Sequence, residues 1–180
     1  MQALKTFIAV AWVVFWLYWL LSAFGVKAGR ASRRRFPLTG ATLIAVIVIL
    51  RVFRGGTGEV HSLVLGVIGA VVFATGLALA LWARGQLGRN WGMPMTQKQD
   101  AELITSGPYA WIRHPIYSGL LIALVGTALA TNLIGLAVAA VAGVYFYYAA
   151  SVEERNLTET FPAAYPQYRS RTKMLIPFVL

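Results

Sequence analysis

Long apolar runs separated by short charge-rich segments set the pattern of this chain. Five such runs can be read, over residues 6–26, 38–53, 60–83, 116–131 and 133–152. They show no period-two alternation, and most approach the roughly twenty residues a helix needs to cross a bilayer core. In lipid a backbone has to satisfy its own hydrogen bonds, so the runs predict transmembrane helices rather than strands. The second is short. The last two are joined by little more than Thr131 and Asn132, which predicts a tight antiparallel hairpin. After Lys5 the apolar stretch is too long for the core of a cleaved leader, and no small-x-small site is obvious, so the first run is expected to remain as a span.

Basic residues orient the bundle. Lys27, Arg30, Arg33, Arg34 and Arg35 follow the first run, Arg84, Arg89, Lys98 and Arg113 follow the third, and Arg155, Arg169, Arg171 and Lys173 follow the last. Lys5, Arg51 and Arg54 fall on the other side. The expectation is an all-α integral membrane protein of about five transmembrane helices, its N-terminus outside and its C-terminus cytoplasmic. Asp100, Glu102, Glu153, Glu154 and Glu159 then share the cytoplasmic face with most of the cations. With 180 residues, 58% hydrophobic and 12% charged, the chain has room for one membrane domain: three spans in 1–83 and the polar segments in 84–180. The net charge of +10 fits span-flanking cations better than a nucleic-acid partner. The absence of cysteine excludes disulfides, thiolate nucleophiles and Cys-based zinc sites, and no metal is expected.

Ala70, Ala74 and Ala78 in the third run, and Gly135, Ala139 and Gly143 in the fifth, predict close helix packing. The glycine cluster Gly55, Gly56, Gly58 reads as a turn, and no G-x-G-x-x-G follows a strand. The chemistry concentrates in Ser106-Gly107-Pro108-Tyr109-Ala110-Trp111-Ile112-Arg113-His114-Pro115-Ile116-Tyr117, answered by Glu153-Glu154-Arg155. Pro115 suits a first helical turn, which places Arg113 and His114 beside amides that favour an anion. Glu153 and Glu154, read as the end of the last span, oppose the helix dipole and ask for a compensating cation or ligand. Tyr109, Trp111 and Tyr117 fit either stacking on a flat ring or an aromatic belt, while Trp12, Trp16 and Trp19 fit belt or packing. The run Arg33, Arg34, Arg35 fits orientation and anionic lipid, and His61 stands alone.

Taken together these residues resemble the isoprenylcysteine carboxyl methyltransferase family, which is similar to the phospholipid methyltransferases. The resemblance covers residues 87–177. It runs through Leu87-Gly88-Arg89-Asn90-Trp91, Glu102-Leu103-Ile104-Thr105-Ser106-Gly107-Pro108-Tyr109, Arg113-His114-Pro115-Ile116-Tyr117-Ser118-Gly119, Glu153-Glu154-Arg155-Asn156-Leu157, Phe161, Tyr165, Tyr168 and Leu175-Ile176-Pro177. It implies S-adenosyl-L-methionine as methyl donor, in a cytoplasmic-face pocket formed by the last two helices, the loop before them and the C-terminal tail, with 84–180 as the methyltransferase core. Carried over by position, the cofactor contacts are Leu103, Ile104, Tyr109, His114, Pro115, Ile116, Tyr117 and Glu153. Arg113 and Glu154 are the candidate catalytic residues, Glu154 as the base for an amine acceptor, and Arg89, Trp91 and Tyr148 are candidates for the substrate side. The implied partners are the bilayer and a lipophilic or small-molecule methyl acceptor. Two other readings stay open: an NADPH-dependent sterol-type reductase, which the acidic pair disfavours, and a non-catalytic membrane scaffold.

Within the resembling family a basic residue lies about one turn before the glutamate that matches Glu153. Here that position is Ala149. Its absence removes a charge-assisted bond worth roughly 1.5–3 kcal/mol to a carboxylate, in part replaceable by Arg113 or Arg89. Prenylcysteine carboxylate is therefore expected to be a poor substrate or none, and an amine, a phenol or a different small apolar acid stays open as the acceptor.

Overall fold

The computed structural model describes residues 1–23, 29–31, 58–91, 96–98 and 102–176. The span expected at 38–53, the cluster Arg33, Arg34, Arg35, most of the glycine turn and Asp100 lie outside the described residues. Helix α1 covers Gln2–Ala23, α2 Leu63–Leu87, α3 Pro115–Thr131, α4 Gly135–Thr160 and α5 Ala164–Arg171. Three of them, α1, α2 and α4, are long and apolar enough to cross a membrane, and α3 is a shorter apolar helix of 17 residues. Alongside the helices runs a short antiparallel ribbon, β1 Gly29–Ala31 paired with β2 Thr96–Lys98, which the all-helical expectation did not include.

Residues without side chains bring α2 and α3 together. A Cβ on Gly76 would press on the backbone of Ala123 and meet Gly119 O at 2.6 Å; one on Gly126 would press on the backbone of Phe73 and meet Gly69 O at 2.7 Å. In lipid, where apolar burial gives helices no reason to associate, this close contact supplies the attraction. The interface stripe is therefore Gly69, Phe73, Gly76, Ala80 and Ala83, all buried. The stripe expected from the sequence lies elsewhere: Ala74 and Ala78 are exposed, because the seven-residue glycine spacing and not the alanine spacing selects the face. On α4, Gly135 and Ala139 are buried as expected.

Helix α1 leans on this pair through Ile8 and Phe15. Its Trp12 Nε1 donates to Thr127 Oγ1 at 3.0 Å, and its Phe15 and Trp19 rings stack at 5.0 Å. One end of the bundle is closed by a Lys5–Glu59 ion pair and by backbone bonds Val60 N–H to Thr131 O and Leu133 N–H to Gly58 O. At the opposite end α2 continues to Leu87, past the run predicted to stop at 83, and stops where Gly88 takes a φ of 49°. That end carries the polar chemistry.

Candidate active site at the polar mouth

Gly107, with φ 60°, turns the chain into the short 3-10 helix Gly107–Ala110, and this sorts the aromatics. Tyr109 points inward and is buried, whereas Trp111 is 60% exposed and meets Trp82 edge-on. The loop is fastened to α2 by Ser106 Oγ donating to Gln86 Oε1 at 3.2 Å. Leu103 and Ile104 are half-buried in it, and Ile104 packs on the core.

The first turn of α3 is buried throughout: Pro115, Ile116 and Tyr117. Three rings lie nearly parallel across it. Tyr117 stacks on Phe146 of α4 at 4.8 Å and 11°, and on His114 at 5.6 Å and 7°. Tyr117 OH donates to Glu153 Oε1 at 2.6 Å, and the other Glu153 oxygen lies 3.5 Å from His114 Nδ1. Across the ring, His114 Nε2 is buried, makes no hydrogen bond among the described residues and sits 3.5 Å from Glu154 Oε1. Burial alone lowers the pKa of His114, but Glu153 and Glu154 outweigh it and hold it above its ordinary 6.5. Burial also raises the Tyr109 hydroxyl, with Tyr168 and Glu153 adding to the effect.

Arg113 and Glu154 are brought together, with each other as partners. Arg113 Nε donates to Glu154 Oε1 at 2.6 Å, and their side chains are 7% and 5% exposed. Arg113 Nη1 donates to the carbonyls of Thr172 and Arg169, and the exposed Arg169 approaches Glu154 at 3.4 Å. Two expectations change here. Helix α4 runs on to Thr160, so Glu153 and Glu154 lie inside it and the end of the helix dipole does not act on them. The amides of Arg113 and His114 are not open to an anion either: they donate to Lys173 O at 2.8 Å and Met174 O at 3.1 Å.

Those carbonyls belong to the tail, which lies parallel to the stretch before α3 through an Ile112–Lys173 bridge. Lys173 N–H returns a bond to Trp111 O, and Ser118 Oγ donates to Leu175 O. Helix α5 turns Tyr165 and Tyr168 inward, and Tyr168 OH donates to Tyr109 O at 2.7 Å. The tail is a wall of the site.

Of the substrate-side candidates, Trp91 is buried and Tyr148 is 38% exposed on α4. Arg89 belongs to the turn Gly88–Asn90, and its side chain lies outside what is described. Ala149 is fully buried in the apolar core. Sequence reasoning assigned Arg84 only to membrane orientation, yet its side chain is buried at this mouth and lies over Trp91. Its place four residues before Gly88 was the available signal.

A phospholipid methyltransferase family model matches residues 64–164, more than half of the chain. The chain belongs to the phospholipid methyltransferase family. Within this family's reach, the chain is 39% identical over 71 residues to methanethiol S-methyltransferase 1 of Bradyrhizobium diazoefficiens, covering 39% of this chain and 24% of that one. It is 31% identical over 119 residues to human protein-S-isoprenylcysteine O-methyltransferase, covering 64% of this chain and 42% of the human one. The chain thus spans less than half the length of either curated relative. A solved structure of the eukaryotic intramembrane Ras methyltransferase, isoprenylcysteine carboxyl methyltransferase, superposes with a TM-score of 0.61 at 24% identity, over 82% of this chain and 55% of that one. That likeness is one of fold.

Proposed function

We propose that this phospholipid methyltransferase family member is an S-adenosylmethionine-dependent methyltransferase acting on a small or lipophilic acceptor that arrives from the membrane. The observation that carries the reading is the His114–Tyr117–Phe146 stack with Glu153 held beside it. S-adenosylmethionine, when bound, supplies a methyl group on a positively charged sulfur. The residues present fit such a molecule. Glu153 offers a carboxylate to hydroxyl or ammonium donors, the buried Nε2 of His114 still has a position to fill, and the stacked rings with Tyr109 suit a flat heterocycle. Methyl transfer from a sulfonium to an anionic nucleophile consumes charge, so apolar walls and fixed positions provide most of the help a protein can give. The tail, by walling the mouth, excludes water from it.

Residues 84–180 are the core of this activity in our reading, and the mouth faces the cytoplasm because the basic residues gather there. Glu154 serves as a positioning group: it is committed to Arg113 and is not free to take a proton. That commitment bears on the acceptor. A thiol that reaches the site as its thiolate is already a strong nucleophile and needs no base from Glu154, whereas an ammonium must first lose its proton. A thiol also accords with the methanethiol named in one relative, and a prenylcysteine carboxylate finds no cation at Ala149.

The test is calorimetry of the purified protein with S-adenosylhomocysteine and with NADPH. Binding of the first alone is expected. Binding of NADPH, or of neither, would overturn the reading.

A further inference from the structure

Arg84 is a buried cation, 6% exposed, with no carboxylate partner among the described residues. It leaves α2 one turn before the helix ends and folds back over the mouth. One terminal nitrogen donates to Gly88 O at 2.8 Å and the other to Ser22 O at 2.8 Å. The guanidinium lies 4.6 Å from the centre of the Trp91 ring, and Trp19 meets that indole edge-on at 5.5 Å. Among the described residues its Nε is buried without a hydrogen-bond partner. One side chain therefore ties the end of α1, the end of α2 and the turn beyond it.

An arginine in a helix's last turn that served only to face the cytosol would run outward into water. This one turns inward, and its planar fork meets two carbonyls while its face meets an indole. Lysine, a point charge, offers no such combination. The ring so held belongs to the same buried cluster as Tyr109, Tyr117, Ala149 and Ala150. The cofactor-side groups His114, Tyr117 and Glu153 are held by contacts of their own: the two rings stack, and Glu153 meets both.

We propose that Arg84 is a positioning residue for the acceptor side of the site, fixing the Trp19–Trp91 corner so that the indole of Trp91 forms the wall against which an apolar thiol lies. The proposal rests on the methyl-transfer reading above. It is tested on the full chain in lipid nanodiscs with 1-octanethiol as the acceptor probe, comparing wild type, Arg84→Lys, Arg84→Ala, Trp91→Ala and the Arg84→Ala/Trp91→Ala double variant. Arg84→Ala is expected to raise KM for octanethiol about tenfold with a smaller change in kcat, the scale of losing a desolvated cation–π contact. Affinity for S-adenosylhomocysteine should stay within about threefold of wild type. Trp91→Ala should match it, the double variant should be no worse than the poorer single, and Arg84→Lys should recover little. Multiplying effects in the double variant, or lost cofactor affinity at unchanged KM, would overturn the proposal.

Where Arg84→Ala does not purify, Arg84→Gln carries the same comparison. If wild type binds S-adenosylhomocysteine without methylating octanethiol, acrylamide quenching decides, each protein being read against its Trp91→Phe counterpart. Trp91 newly exposed by Arg84→Ala upholds the positioning role, and Trp91 as shielded as before overturns it. A wild type that binds no S-adenosylhomocysteine removes the methyl-transfer reading, and the acceptor-side role falls with it.

Discussion

Replacing Arg113 by Met should damage the fold of the mouth more than its chemistry. At 2.6 Å the Arg113–Glu154 attraction amounts to roughly 6 kcal/mol at an effective dielectric of about 20. Taking both ions out of water opposes this by several kcal/mol each, so the net worth of the pair is small. Removing one partner is different, because the other stays behind. Glu154, 5% exposed, would keep, among the described residues, only His114 at 3.5 Å and the exposed Arg169 at 3.4 Å. The expected cost of Arg113→Met or Glu154→Leu alone is about 3 kcal/mol, and the double variant should cost less than either single. The chain has no cysteine for a thiol-reactive dye, but its six tryptophans report unfolding during heating in detergent. Singles within about 1 kcal/mol of wild type, or a double variant whose loss is the sum of the two, would refute the coupling of Arg113 to Glu154. So would a Glu154→Gln protein that melts normally and has lost methyl transfer, since that outcome makes Glu154 the proton acceptor.

Stability should fall on the alkaline side. Glu153 and Glu154 raise His114 above 6.5, so the contribution of its protonated form is complete below that pH and is lost as pH climbs through the higher folded value. Melting temperatures from about pH 6 to pH 9 check this, with His114→Gln expected to flatten the decline. At the helix interface, Gly126→Leu should cost about 3 kcal/mol or more and deplete monodisperse protein, because its side chain would enter the backbone of Phe73. Ala74→Leu, on the exposed face of the same helix pair, should stay within about 0.5 kcal/mol, and size-exclusion profiles of the two variants compare them directly.

Apolar runs fix where helices lie because lipid leaves the backbone no other choice, and α1, α2, α3 and α4 all fall on runs legible in the sequence. Their ends were less legible. Glu153 and Glu154 looked like a terminus because hydropathy drops there, yet the backbone stays helical to Thr160 once Arg113, His114 and Tyr117 neutralise and bond the two carboxylates. The residues that line the mouth were nameable from the order of their motifs. Their partners were not: whether Arg113 meets a ligand or Glu154 depends on the tail, whose pairing with residues far upstream leaves no local pattern. The same holds for Ala74 against Gly76, where two small-residue spacings compete on one helix and only the opposing helix decides.

The Ile112–Lys173 bridge also sets an order of events. Both α3 and α4 lie between its two halves, so the ribosome releases the first half while the second is still unmade. The hairpin of α3 and α4 enters the bilayer with Arg113 and His114 lacking their backbone acceptors, and only the arrival of residues 172–175 closes the mouth. Membrane insertion and closure of the mouth are thereby separate stages of biogenesis, and a chain interrupted between them would be an embedded bundle with its mouth unwalled.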